Sequence, residues 1–140
     1  MKILIDTDVL LDVPLASPQR HFPDSIALLD WCESRPGTAH MAWHSLSNIY
    51  YILSRPKAPG RFDSRTFLRD LLGFISIVPT GTTDAQAALG LPLSDFEDAL
   101  QVSAALHAGV DYIITRNKDH YRSSPIPSLT PGEFLASVSA

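Results

Sequence analysis

Apolar residues recur along this chain alternately in short runs and in helical spacings. Lys2 to Ile5 is a brief apolar run ending on Asp6, as expected for a strand buried on both faces and closed by a carboxylate. Val9 to Val13 predicts a short helix stopped by Pro14. Residues 24–34 put Ile26, Leu28, Leu29, Trp31 and Cys32 at largely helical spacing, halted by Arg35-Pro36-Gly37. Thr38 to Ala42 forms a second strand. From Trp43 to Ser54, Leu46, Ile49, Tyr50 and Leu53 take the i, i+3, i+4 and i+7 positions of an amphipathic helix, which Pro56 ends.

Arg55 to Gly60 holds two prolines and a glycine and predicts a loop, after which Ser64 caps a helix reaching Leu72. Ile75 to Val78 is a third strand. Thr83 with Gln86, and Ser94 with Glu97, have the spacing of capping boxes; the first opens a helix ending near Gly90. The second opens one whose buried face runs through Phe96, Leu100, Ser103 and Leu106 to Gly109. Tyr112 to Thr115 is a fourth strand and Pro125 to Leu129 a final edge strand. Thr130-Pro131-Gly132-Glu133 combines cap, first-turn proline and returning glutamate at the start of a last helix. This alternation predicts one α/β domain over residues 1–140, with a central parallel sheet covered on both faces by helices.

Composition narrows the setting. At 140 residues and 45% hydrophobic content, the chain can bury a core without disulfides or a structural metal. Cys32 is its single cysteine, which suits a reducing cytoplasm. Asp6, Asp8 and Asp12 interrupt the only candidate leader, and no apolar run approaches 18 residues, so neither secretion nor a membrane is expected. Eleven Lys and Arg against fifteen Asp and Glu leave a net charge of −4, which argues against a sequence-blind nucleic-acid coat. A local grip on nucleic acid through a metal and a small basic patch stays open.

In a parallel α/β sheet, chemistry gathers outside the C-terminal strand ends. Asp6 follows the first strand directly, and Thr115-Arg116-Asn117-Lys118-Asp119 follows the fourth. Asp95 and Asp98, at i and i+3, share one face at the start of the helix before that strand. Converging strand ends would gather Asp6, Asp98, Asn117 and Asp95 into an oxygen-rich pocket of the kind Mg²⁺ or Mn²⁺ requires. A structural account competes with this one. Glu97 serves as capping partner of Ser94, and Asp95 complements the helix dipole as readily as it binds a metal. Asp98 lies deeper, beside Ala99 and Leu100, where an unpartnered carboxylate is costly. Asp8 and Asp12 fit turn and cap positions, with Asp12 also within reach of the pocket rim. Arg116 and Lys118 adjoin the pocket and suit a scissile phosphate. The histidines at 21, 40, 44, 107 and 120 have no Ser or Cys partner in a recognisable elbow.

Four segments, in this order, resemble the PIN-domain nucleases, which include the VapC-like toxins of bacterial toxin–antitoxin pairs. They are Ile5-Asp6-Thr7-Asp8-Val9-Leu10-Leu11, Asp95-Phe96-Glu97-Asp98-Ala99-Leu100-Gln101, Ile114-Thr115-Arg116-Asn117 and Ile126-Pro127-Ser128-Leu129-Thr130-Pro131. The resemblance spans almost the whole chain. It implies that acidic residues bind Mg²⁺ or Mn²⁺ and activate water to hydrolyse RNA, with Asp6, Asp98 and Asn117 catalytic and Asp95 completing the metal set. It also implies an RNA substrate, a cognate antitoxin and a homodimer. Two positions depart from the family pattern. Its glutamate on the helix after the second strand is replaced by Asn48 or Ser45, and its fourth acidic position by Asn117, with Asp119 and His120 nearby. Fewer charges mean weaker metal affinity. Arg55, Lys57, Arg61, Arg65 and Arg69 form either a solvated face or a contact for RNA phosphates or an acidic antitoxin segment; Tyr50, Tyr51 and Phe67 suit core or dimer contacts.

Two other functions compete. The asparagines at 48 and 117 suit a non-catalytic PIN-fold binding module with a degenerate metal site. Asp6-Thr7-Asp8 also resembles the nucleophile and acid/base pair of haloacid-dehalogenase-type phosphatases. Those enzymes need further motifs downstream, and only 25 residues follow Thr115.

Overall fold

Ile3, Leu4 and Ile5 are completely buried, and their alternating side chains serve two cores at once. A computed structural model of the chain describes residues 1–55 and 63–139. Strand β1 (Ile3–Ile5) is the centre of a five-stranded sheet with β2 (Ala39–Met41), β3 (Ser76–Ile77), β4 (Tyr112–Ile114) and β5 (Ser128–Leu129). The spatial order is β3-β2-β1-β4-β5 and every pairing is parallel. The chain therefore steps outward from β1 through β2 to β3, then returns to lay β4 and β5 on the other side of β1. The reversal puts a crevice beyond the C-terminal ends of β1 and β4, where such sheets place their ligands.

Ile3 and Ile5 pack with Leu28, Leu29 and Cys32 of α2 (Pro23–Glu33), Ile49 and Leu53 of α3 (Trp43–Leu53), Phe67 and Leu71 of α4 (Ser64–Leu71) and Phe134 of α7 (Pro131–Ser139). Leu4 faces the other way, into a core with Ile113, Tyr121, Ile126 and the small residues Val102, Ala104 and Ala105 of α6 (Phe96–Ala108). Helices α1 (Thr7–Leu11) and α5 (Thr82–Leu89) and a single 3-10 turn (Lys118–Tyr121) complete the described elements. Helices cover both faces of a parallel sheet, as the β-α alternation predicts. No helix among the described residues is long and apolar enough to cross a membrane.

Several local expectations shift by one or two residues. Helix α6 is capped by Asp95, not Ser94: Asp95 Oδ1 accepts from the N–H groups of Glu97 (2.8 Å) and Asp98 (3.3 Å). Glu97 is therefore one position too early to return a capping-box bond. At α4 the cap is Asp63 rather than Ser64, accepting from Thr66 N–H at 3.0 Å. At α5 the Thr83–Gln86 box is replaced by Asp84, which accepts from Gly81 N–H at 2.9 Å. In each case a carboxylate outcompetes a nearby hydroxyl or amide as acceptor for the exposed first-turn donors. The reciprocal box at Thr130 and Glu133 is present as expected, at 3.1 and 2.9 Å. Helix α6 ends at Gly109, whose φ of 65° is the left-handed conformation that glycine adopts without strain. Most of the loop expected over 55–60, with Lys57 and Arg61 of the basic segment, lies outside the described residues.

Candidate metal centre

Asp6 occupies the N-cap position of α1, yet its side chain makes no capping hydrogen bond. Its Oδ2 instead accepts a hydrogen bond from Thr115 Oγ1 at 2.9 Å, across the crevice between β1 and β4. The pairing of Ile5 with Ile114 sets this contact, because the next residue on each strand is then Asp6 or Thr115. Thr115 Oγ1 also accepts from Asn117 N–H at 3.0 Å, which fixes the hydroxyl proton on Asp6. Asp6 is 9% exposed. Burial raises its pKa to about 6; the Thr115 hydrogen bond opposes the shift, and the charges of Asp8 and Asp98 add to it.

Asp98, in the first turn of α6, supplies the second carboxylate. Burial again pushes its pKa up, followed by the charge of Asp95, while His120 and Tyr121 favour its ionised form. His120 Nδ1 lies 3.5 Å from Asp98 Oδ2. Glu97 is raised for the same reasons, burial first and then Asp95, Asp98 and Asp8. Carboxylates from β1–α1 and α6 thus share one field in which each disfavours ionisation of the next. A cation relieves that repulsion.

Among the described residues no group of three or more His, Cys, Asp or Glu side chains is arranged to hold a metal ion. Asp6 and Asp98 do fit the hard-oxygen chemistry of Mg²⁺ or Mn²⁺, which commonly use one or two carboxylates and complete their shell with water and substrate phosphate. The buried Tyr121 hydroxyl lies in the field of the same two carboxylates and hydrogen-bonds Asp98, which favours the ionised form of that carboxyl. A depression of about 400 Å³ opens beside Asp98, lined by Asp95, Asp119, His120 and Ser123 among others.

The remaining predicted site residues fall around this pair. Asn117 is exposed and meets Asp6 only through its backbone bond to Thr115. Asp95 lines the depression while capping α6. Asp119 is largely exposed and pairs with Arg122 at 2.6 Å. Ser45 is fully buried: its Oγ lies 2.8 Å from Thr7 Oγ1 and accepts from Gln101 Nε2 at 3.2 Å. Gln101 Nε2 also donates to Thr7 Oγ1 at 3.1 Å. This triad pins α1, α3 and α6 together just behind the carboxylates, since Thr7 adjoins Asp6 and Gln101 is one turn beyond Asp98. Asn48 is half-buried one turn beyond Ser45. Arg116 turns away from the pair and binds Asp12 through Nε (2.9 Å) and Nη2 (3.2 Å), while Lys118 pairs with Glu133 at 3.0 Å. Asp12 is not at the pocket rim; it is fully buried and also takes Arg20 at 2.9 Å and Ser25 Oγ at 2.6 Å. The positioning roles of Thr115 and Gln101 escaped the sequence reading. A threonine ending a strand beside one that ends in aspartate is the signal that would have found the first.

The buried state of Asp6 has a consequence for stability. The folded protein keeps the Asp6 proton up to a pH of about 6, whereas an unfolded chain loses it near 3.8. Folding therefore takes up a proton between those values, and stability falls as pH rises through that window, by on the order of 3 kcal/mol, and then levels off. Urea unfolding of the metal-free protein from pH 3.5 to 7 should show this decline, and Asp6→Asn should flatten it. An unchanged pH profile in Asp6→Asn would place the proton elsewhere.

Residues 2–119 match the PIN domain family, and the chain belongs to it. The haloacid-dehalogenase alternative is thereby set aside. Solved structures of similar fold include VapBC2 of Rickettsia felis bound to a promoter DNA fragment, with 14% identity and a TM-score of 0.66 over 93% of this chain and 98% of that one. A toxin–antitoxin complex from Klebsiella pneumoniae has 18% identity and a TM-score of 0.65 over the same shares. FitAcB of Neisseria gonorrhoeae has 14% identity and a TM-score of 0.64, again over 93% and 98%. No curated protein matches the chain in sequence.

Proposed function

We propose that this PIN domain is a Mg²⁺- or Mn²⁺-dependent endoribonuclease and the toxin of a toxin–antitoxin pair. The observation that supports the reading is that Asp6, at the end of β1 beside the sheet's reversal point, feels the charge of Asp98, and burial holds both carboxyls above their ordinary pKa range. Asp6 and Asp98 would hold the cation, Thr115 would orient the Asp6 carboxylate, and Asn117 and Asp95 would complete or orient the shell. A divalent cation supplies hydroxide near neutral pH and offsets charge developing on the phosphate, so no histidine base is required. The binding-module alternative is favoured by the small number of acidic ligands, and one experiment separates the two. Metal-stripped protein incubated with total RNA should cleave it only after Mg²⁺ or Mn²⁺ is restored. Cleavage that persists in EDTA refutes metal dependence, and no cleavage with either metal leaves the binding module.

The antitoxin reading draws support from a groove of about 940 Å³ between α3 and α4. Trp43 and Tyr51 in it are more than 60% exposed, and Arg65 and Arg69 line it. Of the aromatics assigned to core or dimer contacts, Phe67 is in the core, while Tyr50 and Tyr51 line this groove. Apolar walls with cationic edges suit a partner segment that alternates apolar and acidic residues. A photo-crosslinker in place of Trp43 should capture such a polypeptide in the native host. Crosslinking only to a second copy of the chain would assign the groove to the homodimer instead.

A further inference from the structure

Gln101 is completely buried on α6, and its Nε2 donates both protons, to Thr7 Oγ1 at 3.1 Å and to Ser45 Oγ at 3.2 Å. Its Oε1 is buried as well and accepts no hydrogen bond. Buried amides ordinarily use both ends, so the two N–H bonds set the orientation of this one at the expense of its acceptor. Those bonds fall at a particular place. Thr7 directly follows Asp6, and Gln101 lies three residues beyond Asp98 on the same side of the helix. Among the described residues no other side-chain hydrogen bond joins α6 to α1 or α3. The turn that carries Asp98 has little else to fix it: Phe96 and Glu97 are exposed and Ala99 is its one buried residue. Val102, Ala104 and Ala105 anchor α6 in the core only further along.

We infer that Gln101 is a positioning residue which, through its hydrogen bond to Thr7, sets the separation of Asp6 and Asp98 across the cation that the metal-site reading above gives them. A hard divalent cation takes carboxylate oxygens only at about 2.0–2.6 Å, so a small drift of α6 against α1 weakens binding. The metal-free fold depends on Gln101 far less. Gln101→Met removes two donors but also the unpaired acceptor, and it leaves Thr7 and Ser45 bonded to each other at 2.8 Å.

Mn²⁺ should be titrated into metal-free wild type, Gln101→Met, Thr7→Val, the double variant and Thr7→Ser, following the free ion by electron paramagnetic resonance, with thermal melts of each in EDTA. The expected result is Mn²⁺ binding about 10-fold weaker in Gln101→Met and in Thr7→Val, and no weaker in the double variant than in either single one. Thr7→Ser keeps the hydroxyl and should bind Mn²⁺ as wild type does, and the metal-free Tm of Gln101→Met should stay near that of wild type. Undiminished affinity in Gln101→Met, additive losses in the double variant, or Thr7→Ser as weak as Thr7→Val each overturns the role of Gln101 and leaves the metal site standing. If Gln101→Met is unstable without metal, the comparison of Thr7→Val with Thr7→Ser decides alone. A wild type that binds no Mn²⁺ overturns both the positioning role and the metal site.

Discussion

Asp98→Asn should lower RNA cleavage at limiting Mn²⁺ by about 100-fold or more, with partial recovery as Mn²⁺ is raised. The replacement keeps size and first-turn placement but removes one of the two anionic ligands, and even groups that only support metal ligands alter affinity by about 10- to 100-fold. A weakened site fills again by mass action, so recovery at high Mn²⁺ marks a ligand rather than a damaged fold. Asp63→Asn is the control. Asp63 caps α4 away from the carboxylate pair, and asparagine caps as well as aspartate. Equal rates for Asp98→Asn and wild type at limiting metal would remove Asp98 from the mechanism, and a loss that no Mn²⁺ concentration relieves would make its role structural.

Asp12→Ala should destabilise the fold by about 3–5 kcal/mol, the usual cost of removing one partner from a buried ion pair. Asp12 is fully buried and neutralises two guanidiniums, those of Arg20 and Arg116, while accepting from Ser25. Both arginines also lie near the Phe22 ring, at 5.3 and 4.0 Å, so neither is free to swing into water without losing packing. These contacts fasten the end of α1, the turn carrying Arg20, the start of α2 and the segment after β4. Because Arg116 directly follows Thr115, loosening it should also blur the hydrogen bond that orients Asp6. Chemical denaturation of Asp12→Ala measures the loss; a change below about 1 kcal/mol would show that the arginines find other partners.

The two carboxylates were legible in the sequence for a local reason. An apolar run ending in aspartate places that residue at a strand's C-terminal end, and Asp98 sits in the first turn of a helix whose start the sequence marks. That helix does not bury the face its spacing predicts, because Phe96 and Leu106 are exposed and the close-packed face is Ala99, Val102, Ser103 and Ala105. The parallel sheet follows from the same alternation of elements, whereas its order β3-β2-β1-β4-β5 does not. What stayed hidden depends on contacts between residues far apart in the chain. Arg116 meets Asp12 across 104 residues and Gln101 meets Thr7 across 94, and no spacing rule reaches that far. Arg116 therefore looked free for a phosphate, and Ser45 looked available to the site, until tertiary pairing placed them elsewhere. The cap at Asp95 was missed on a finer scale. Ser94 and Asp95 are both good N-caps, and the one-residue choice between them decides whether Asp95 is a helix cap as well as a candidate ligand.

The central claim is that Asp6 and Asp98 together hold one divalent cation, and calorimetric titration of Mn²⁺ into the metal-free protein at pH 7.5 tests it most directly. The account predicts one site per chain in wild type, binding weakened by about 100-fold or more in both Asp6→Asn and Asp98→Asn, and no change in Asp63→Asn. An absence of Mn²⁺ binding by wild type, or binding that survives both substitutions undiminished, would contradict it.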